Sequence, residues 1–348
     1  MPIPPPLLMP PEWSPHAATW LAWPHNRTDW PGKMAVIPWV YGEIIRALVP
    51  GERVRVLVND DRQAQRIRSL LKKVHADSAA VDVLPFPTNR GWTRDYGPWF
   101  VRQNKQPTIV DFTFNAWARY PQWQSDNAVA AHAAERFAMP RIVPTHKDRT
   151  VVLEGGAIDV NGAGSLLTTE ECLLSPDRQV RNPGFQRSDY EAVFAKYLGM
   201  QHTIWLGDGI VGDDTHGHVD DLARFVSPDT IVLARETNPH DANYRALTEN
   251  KERLEAARLA DGSRPHVVAL PMPAPLYHAG QRLPASYANF YIANAAVLAP
   301  TFNDPRDREA LGILSDLFPD RTVMGIHAVD LVLGLGALHC LTQQEPAV

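Results

Sequence analysis

Nine consecutive residues, Asp213 to Asp221, hold four aspartates and two histidines, with Gly212 before them and Gly217 among them. Three chemistries compete for this run. A solvated acidic turn needs nothing but water. A metal site would use His216, His218 and Asp220, because alternate side chains of an extended segment share one face. It would need a further ligand from elsewhere, and no HExxH or second His pair supplies one. The third is acid/base work by one histidine, its pKa raised and its ring oriented by carboxylates. Cys340 follows GLGALH and precedes Leu341-Thr342-Gln343-Gln344. It reads either as a nucleophile at a strand end, where small residues admit a ligand, or as a buried structural thiol. Cys172, inside Cys172-Leu173-Leu174, reads as structural. Asp95 in GWTRDYGP and Glu154, ending an expected strand Thr150–Leu153 ahead of two glycines, are by themselves no more than turn residues. Trp92 is a core ring or a flat wall for a planar ligand.

These residues need a scaffold, and the chain alternates strand-like with helical runs. Arg53–Val58 and Val81–Leu84 read as strands. Helices are expected at Asp61–Val74, with Ile67, Leu70, Leu71 and Val74 inward, at Asn127–Met139, at Ser188–Leu198 with Ser188 as N-cap, at Tyr244–Leu259, and at Pro305–Leu317 after Asn303–Asp304. The class is α/β or α+β. Five segments share one grammar, a polar or Gly-rich start followed by an apolar strand. They begin near Arg94, Glu154, His218, Asn289 and Cys340, spaced 60, 64, 71 and 51 residues apart. Set in a ring, they would bring their polar starts to one axis; set otherwise, they are ordinary hairpins of an α/β chain.

Composition narrows the function. The chain has 348 residues, 34 basic and 39 acidic, for a net charge of −5. That balance argues against a nucleic-acid groove or an anionic membrane surface. With 45% hydrophobic and 21% charged residues it is an ordinary globular chain. Two cysteines exclude a disulfide scaffold and a Cys-rich zinc site. The Pro-rich start has no secretory pattern and no run approaches a bilayer span, so a cytoplasmic setting is expected. Residues 1–12 are expected to form an irregular arm laid on the surface, and 13–346 a single domain. Walker A and GxSxG are absent, and GLGALH is the only near-match to GxGxxG.

GWTRDYGPWFV, LEGGAIDV, DDTHGHVDD, SYANFYIAN and LHCLTQQEP stand in an order and spacing that resemble the agmatine deiminase and bacterial-type (Porphyromonas-type) peptidylarginine deiminase family. The resemblance runs from Trp13 to Pro346. It implies the pentein fold, a five-unit α/β propeller, and hydrolysis of a guanidinium group to a ureido group plus ammonia without cofactor or metal. By the same resemblance Cys340 is the nucleophile, His218 the acid/base and Glu154 its orienting partner. Asp95 and Asp220 grip guanidinium nitrogens, Asp214 contacts substrate and Trp92 packs near it. Departures flank these groups: GLGAL stands where family members carry a more Gly-rich stretch ending in Asn-Ile, His216 and Asp221 stand where Asn is common, and Tyr96 replaces a smaller residue.

The expected partner is therefore a small cationic guanidinium compound, with a homo-oligomer left open. Agmatine, giving N-carbamoylputrescine on a route to putrescine, is the expected substrate, its amine meeting Asp214. Free arginine would need a cation for its carboxylate, Arg224 or Arg235, and a peptide would need an open cleft. A guanidinium fits carboxylates through paired N–H groups. Three carboxylates around Cys340 should hold it as a thiol until the substrate's charge arrives.

Overall fold

The computed structural model describes residues 7–103 and 106–347; residues 1–6 of the expected arm lie outside these. Among the described residues, five sheets of three or four strands share one pattern. In four of them a strand turns back antiparallel and the returning strand then pairs in parallel with a third. These are Trp99–Gln103, Gln106–Val110 and Arg141–Ile142; Asp159–Val160, Ser165–Thr169 and His202–Leu206; Ala223–Phe225, Thr230–Arg235 and His266–Pro271; and Tyr291–Ile292, Ala296–Thr301 and Thr322–His327. The fifth joins both ends of the described chain. Gln343–Pro346 runs antiparallel to His16–Ala22, which pairs in parallel with Arg53–Leu57 and, beyond it, Val81–Leu84.

A parallel pair needs a crossover long enough to hold a helix, and each supplies one. Ile37–Leu48 and Asp61–Lys73 serve the fifth sheet, Val129–Arg136, Arg187–Leu198, Tyr244–Ala256 and Asp307–Leu317 the others. Asp61–Lys73 starts where Asp60 accepts from the Gln63 amide at 2.8 Å, and it buries Ala64, Ile67, Leu70 and Leu71 at the spacing of one helical face. Two expected caps differ. Arg187–Leu198 is capped by Gln186 in a reciprocal box with Asp189, so Ser188 already lies inside the helix. The last helix begins at Asp307, whose carboxylate accepts from the Phe302 and Asp304 amides. The expected arm is superficial only in part where it is described: Leu8 is exposed while bridging Arg102, but Met9 and Glu12 are buried. Glu12 is drawn in by Arg94 at 3.0 Å and Arg224 at 2.9 Å, an interaction no local pattern foretells.

Each expected polar start is a tight turn leading into the first strand of a sheet. Thr93–Tyr96, Gly155–Ala157, Val219–Asp221 and Leu338–Leu341 are single helical turns, and Asn289 follows a turn ahead of Tyr291. The sheets therefore hold these turns at fixed points of a rigid frame. Among the described residues no helix is long and apolar enough to cross a membrane.

Candidate active site

The turns meet, and the chemistry meets with them. Asp95 Oδ1 accepts the Gly156 amide at 3.0 Å and Oδ2 the Trp117 indole N–H at 2.9 Å. His218 lies between two carboxylates, with Nδ1 3.8 Å from Asp95 and Nε2 3.9 Å from Glu154. A Cβ on Gly156 would stand 2.6 Å from His218 Nδ1 and 3.0 Å from both Asp220 Oδ2 and Asp95 Oδ1. Only glycine lets these three groups close around one point.

The loop before His218 is folded by Asp213, whose carboxylate accepts from the amides of Thr215, Gly217 and His218 at 2.7, 2.7 and 2.9 Å. His216 sits at φ 65° and Gly217 at φ 89°, so the segment is not extended. His216 points to Glu171 at 3.2 Å, His218 to Asp95 and Glu154, and Asp220 to His339. The trio His216, His218 and Asp220 is not assembled as a ligand set, because the left-handed residue breaks the alternation that would have aligned it. Among the described residues the sets close enough to hold an ion are Glu154, Cys172 and His218, and Asp220, Asp221 and Cys340.

Burial would raise the Glu154 carboxyl, but the Arg181 guanidinium 3.1 Å away, with His218, holds it down to about 2. Arg181 is itself fixed by the Gln179 and Thr215 carbonyls. Burial opposes a charge on His218, yet Asp95, then Cys172 and Glu154, push it well above the ordinary imidazole range. Asp95 rises to about 6, through burial first and against the attraction of His218. Cys340 is pushed well above the usual thiol range by burial and then by Asp220, Asp221 and Asp95. These directions favour a Cys340 thiol beside several acids and a charged His218 ring between Asp95 and Glu154.

The Cys340 sulfur accepts from Asn289 Nδ2 at 3.1 Å and lies 3.7 Å from Asp220 Oδ2. The same Asn289 amide group bonds Asp221 Oδ1 at 2.9 Å, while its oxygen accepts the His339 amide at 3.0 Å. Asp220 Oδ2 also meets His339 Nδ1 at 2.6 Å, and His339 Nε2 meets Glu12 at 2.8 Å. Four buried atoms in this cluster have no hydrogen-bond partner: Asp220 Oδ1, Glu154 Oε2 and both ring nitrogens of His218. Buried polar atoms are rarely left so, and the two carboxylate oxygens are acceptors that a bound cation could satisfy.

A cavity of about 270 Å³ opens onto Asp95 and Cys340, while His218, Glu154 and Asp220 stand behind its floor. Trp92 and Trp117 form its walls, and Gly336 brings the backbone against Trp92 and Cys340 where a Cβ would lie 2.8 Å from the ring and 3.1 Å from the sulfur. Asp214 stands on the rim with both oxygens engaged, by Tyr120 at 2.6 Å and Arg119 at 3.1 Å. Asp29 and Arg90 form a further rim pair. Neither arginine considered for a substrate carboxylate reaches the cavity. Arg224 is fully buried on Glu12, Asp159 and the Phe290 carbonyl, and Arg235 lines a separate groove with Glu236 and Lys251.

Asn289, Arg181, Glu12, His339 and Trp117 were not singled out from sequence as site residues. Asn289 lay inside SYANFYIAN and His339 beside Cys340, so both were visible as neighbours without a role. Glu12 and Arg181 carried no local signal.

A family model described as Porphyromonas-type peptidyl-arginine deiminase matches residues 8–346. The agmatine deiminase of Ectopseudomonas mendocina is 34% identical, over 97% of this chain and 95% of its own, and that of Stutzerimonas stutzeri 35% over the same shares. Among solved structures, the agmatine deiminase of Enterococcus faecalis superposes with a TM-score of 0.90 at 31% identity, covering 98% of this chain and 96% of that one. A substrate-bound agmatine deiminase of C. jejuni superposes with a TM-score of 0.85 at 30% identity, covering 97% and 96%. The mixed α/β fold, the turns that carry Cys340 and His218, and this similarity along nearly the whole chain agree, and the protein belongs to the Porphyromonas-type peptidyl-arginine deiminase family.

Proposed function

We propose that the protein is a guanidine deiminase that hydrolyses agmatine to N-carbamoylputrescine and ammonia. The observation that carries this reading is a cavity floor formed by Asp95 and a buried thiol, Cys340, with Asp220 directly behind that sulfur and its free Oδ1 able to accept an N–H. A guanidinium held by Asp95 and Asp220 presents its carbon to the sulfur. Its positive charge offsets the carboxylates, so the thiol releases its proton to solvent as the substrate binds. The thiolate attacks and a C–S bond forms. His218, as imidazolium, gives its proton to the departing nitrogen, and ammonia leaves. Water then attacks the planar thiouronium carbon while neutral His218 takes the proton. The C–S bond breaks and the ureido product forms as the thiolate returns. Glu154, anchored by Arg181, holds the ring and its charge.

Agmatine is favoured over arginine because, among the described residues, the arginines at the cavity are each paired with an aspartate, Arg90 with Asp29 and Arg119 with Asp214. The names of the relatives agree. We further propose that the five like-patterned sheets close into the five-unit α/β propeller of the pentein fold, and that the enzyme works in the cytoplasm. Ammonia release measured over agmatine, arginine and a blocked peptidyl-arginine, with and without chelator, tests the reading. Agmatine is expected to be preferred and chelator to be without effect. Turnover of none of the three, or undiminished turnover by Cys340→Ala, would overturn it.

A further inference from the structure

One buried ionic chain behind the cavity floor enters that scheme only at its last member. It begins at Glu12, which receives Arg94 and Arg224 and the Ile292 amide. It passes through His339, whose ring nitrogens meet Glu12 Oε2 at 2.8 Å and Asp220 Oδ2 at 2.6 Å. It ends at Asp220, whose Oδ2 lies 3.7 Å from the Cys340 sulfur. Every member is at least nine-tenths buried. We infer that His339, held from behind by Glu12, is a positioning residue that fixes Asp220 and sets a positive charge beside the nucleophile.

Two features of the geometry carry this. Each ring nitrogen faces a carboxylate oxygen, so both contacts are hydrogen bonds only if both nitrogens carry a proton. Burial opposes a charge on either carboxyl, yet Arg224, His339 and Arg94 draw Glu12 down, and His339 and His218 draw Asp220 down. Second, His339 occupies Oδ2 of Asp220 and leaves Oδ1 as the unpartnered oxygen. One oxygen is used for orientation and the other remains for a substrate N–H. The charged groups around the ring are Glu12, Asp220, Arg94, whose Nε bonds the His339 carbonyl at 3.3 Å, Arg224 and Asp159. With a proton on both nitrogens, the ring would be the cation bonded to the carboxylate next to Cys340. It offsets part of the negative field that keeps that thiol protonated.

This inference rests on the deiminase reading for the roles of Cys340 and Asp220, but its main readout does not need turnover. The full chain is alkylated with iodoacetamide across pH, and the peptide holding Cys340 is followed by mass spectrometry. His339→Asn keeps an N–H toward Asp220 and removes the charge; His339→Gln does so toward Glu12. The variant that keeps wild-type circular dichroism and melting is the one read. The Cys340 midpoint is expected to move up by about one pH unit, and kcat for agmatine to fall roughly 10- to 100-fold, with KM within about threefold for His339→Asn. A merely structural histidine would lower kcat without moving the midpoint. An unchanged or lowered midpoint overturns the inference. A raised midpoint in a chain that releases no ammonia from any guanidine would leave the charge relation standing and sink the deiminase reading instead.

Discussion

Replacing Asp220 by Asn isolates the strongest electrostatic contact of the nucleophile. Asp220 Oδ2 lies 3.7 Å from the Cys340 sulfur. Two unit charges at that separation repel by about 4.5 kcal/mol at an effective dielectric constant near 20, which is about three pKa units. The His339 ring on the same oxygen removes part of that repulsion. The Cys340 thiol should therefore ionise about one to two units lower in Asp220→Asn. Iodoacetamide labelling against pH reads this, with peptide mapping to separate Cys340 from the buried Cys172. Catalysis should move the other way. The clamp on the guanidinium is lost, and kcat/KM for agmatine should fall by about 10³ or more. A better nucleophile with a poorer enzyme is the signature. A midpoint that rises or stays in place would refute the view that Asp220 suppresses the thiolate of the free enzyme.

Other perturbations give separate readings. Gly156→Ala should cut kcat/KM at least about 100-fold with the far-ultraviolet dichroism retained, since its methyl would enter the space shared by His218, Asp95 and Asp220; near-normal activity would mean these groups need not converge. Arg181→Met should lower stability to urea by about 3 to 5 kcal/mol by leaving Glu154 buried without its partner, and a second change Glu154→Gln should return part of it. The folded pKa of Glu154, about 2, lies below its ordinary 4.5. Its stabilising contribution is therefore complete above pH about 4.5 and is lost as pH falls toward 2. The urea midpoint should drop more steeply between pH 5 and 3 in the wild type than in Glu154→Gln, and equal slopes would count against that carboxylate.

What could be read in the sequence followed from local pattern. The polar starts near Arg94, Glu154, His218, Asn289 and Cys340 are all turns leading into strands, because a glycine- or acid-rich stretch before an apolar run has few other conformations. The family resemblance also singled out Cys340, His218, Glu154, Asp95 and Asp220, and the structure brings all five into one cluster. The errors came where side chains override backbone pattern. Asp213 folds the segment that alternation would have extended, and Asp189 reaches back to make Gln186 the cap in place of Ser188. The omissions are long-range. Glu12 meets His339 across 327 residues, and Asn289 meets Cys340 across 51, and no window short enough to show a period spans such distances.

The sheet that joins His16–Ala22 to Gln343–Pro346 bears on how the molecule is made. As the chain leaves the ribosome, its early strand can pair with Arg53–Leu57 within moments, but its other edge stays open until more than three hundred further residues have been added. At ordinary elongation rates that wait is on the order of tens of seconds. The Cys340 sulfur emerges just ahead of the strand that closes this edge. A polypeptide interrupted anywhere earlier in synthesis carries a half-finished frame without the proposed nucleophile, so chemical competence is acquired only after the other four sheets have been translated.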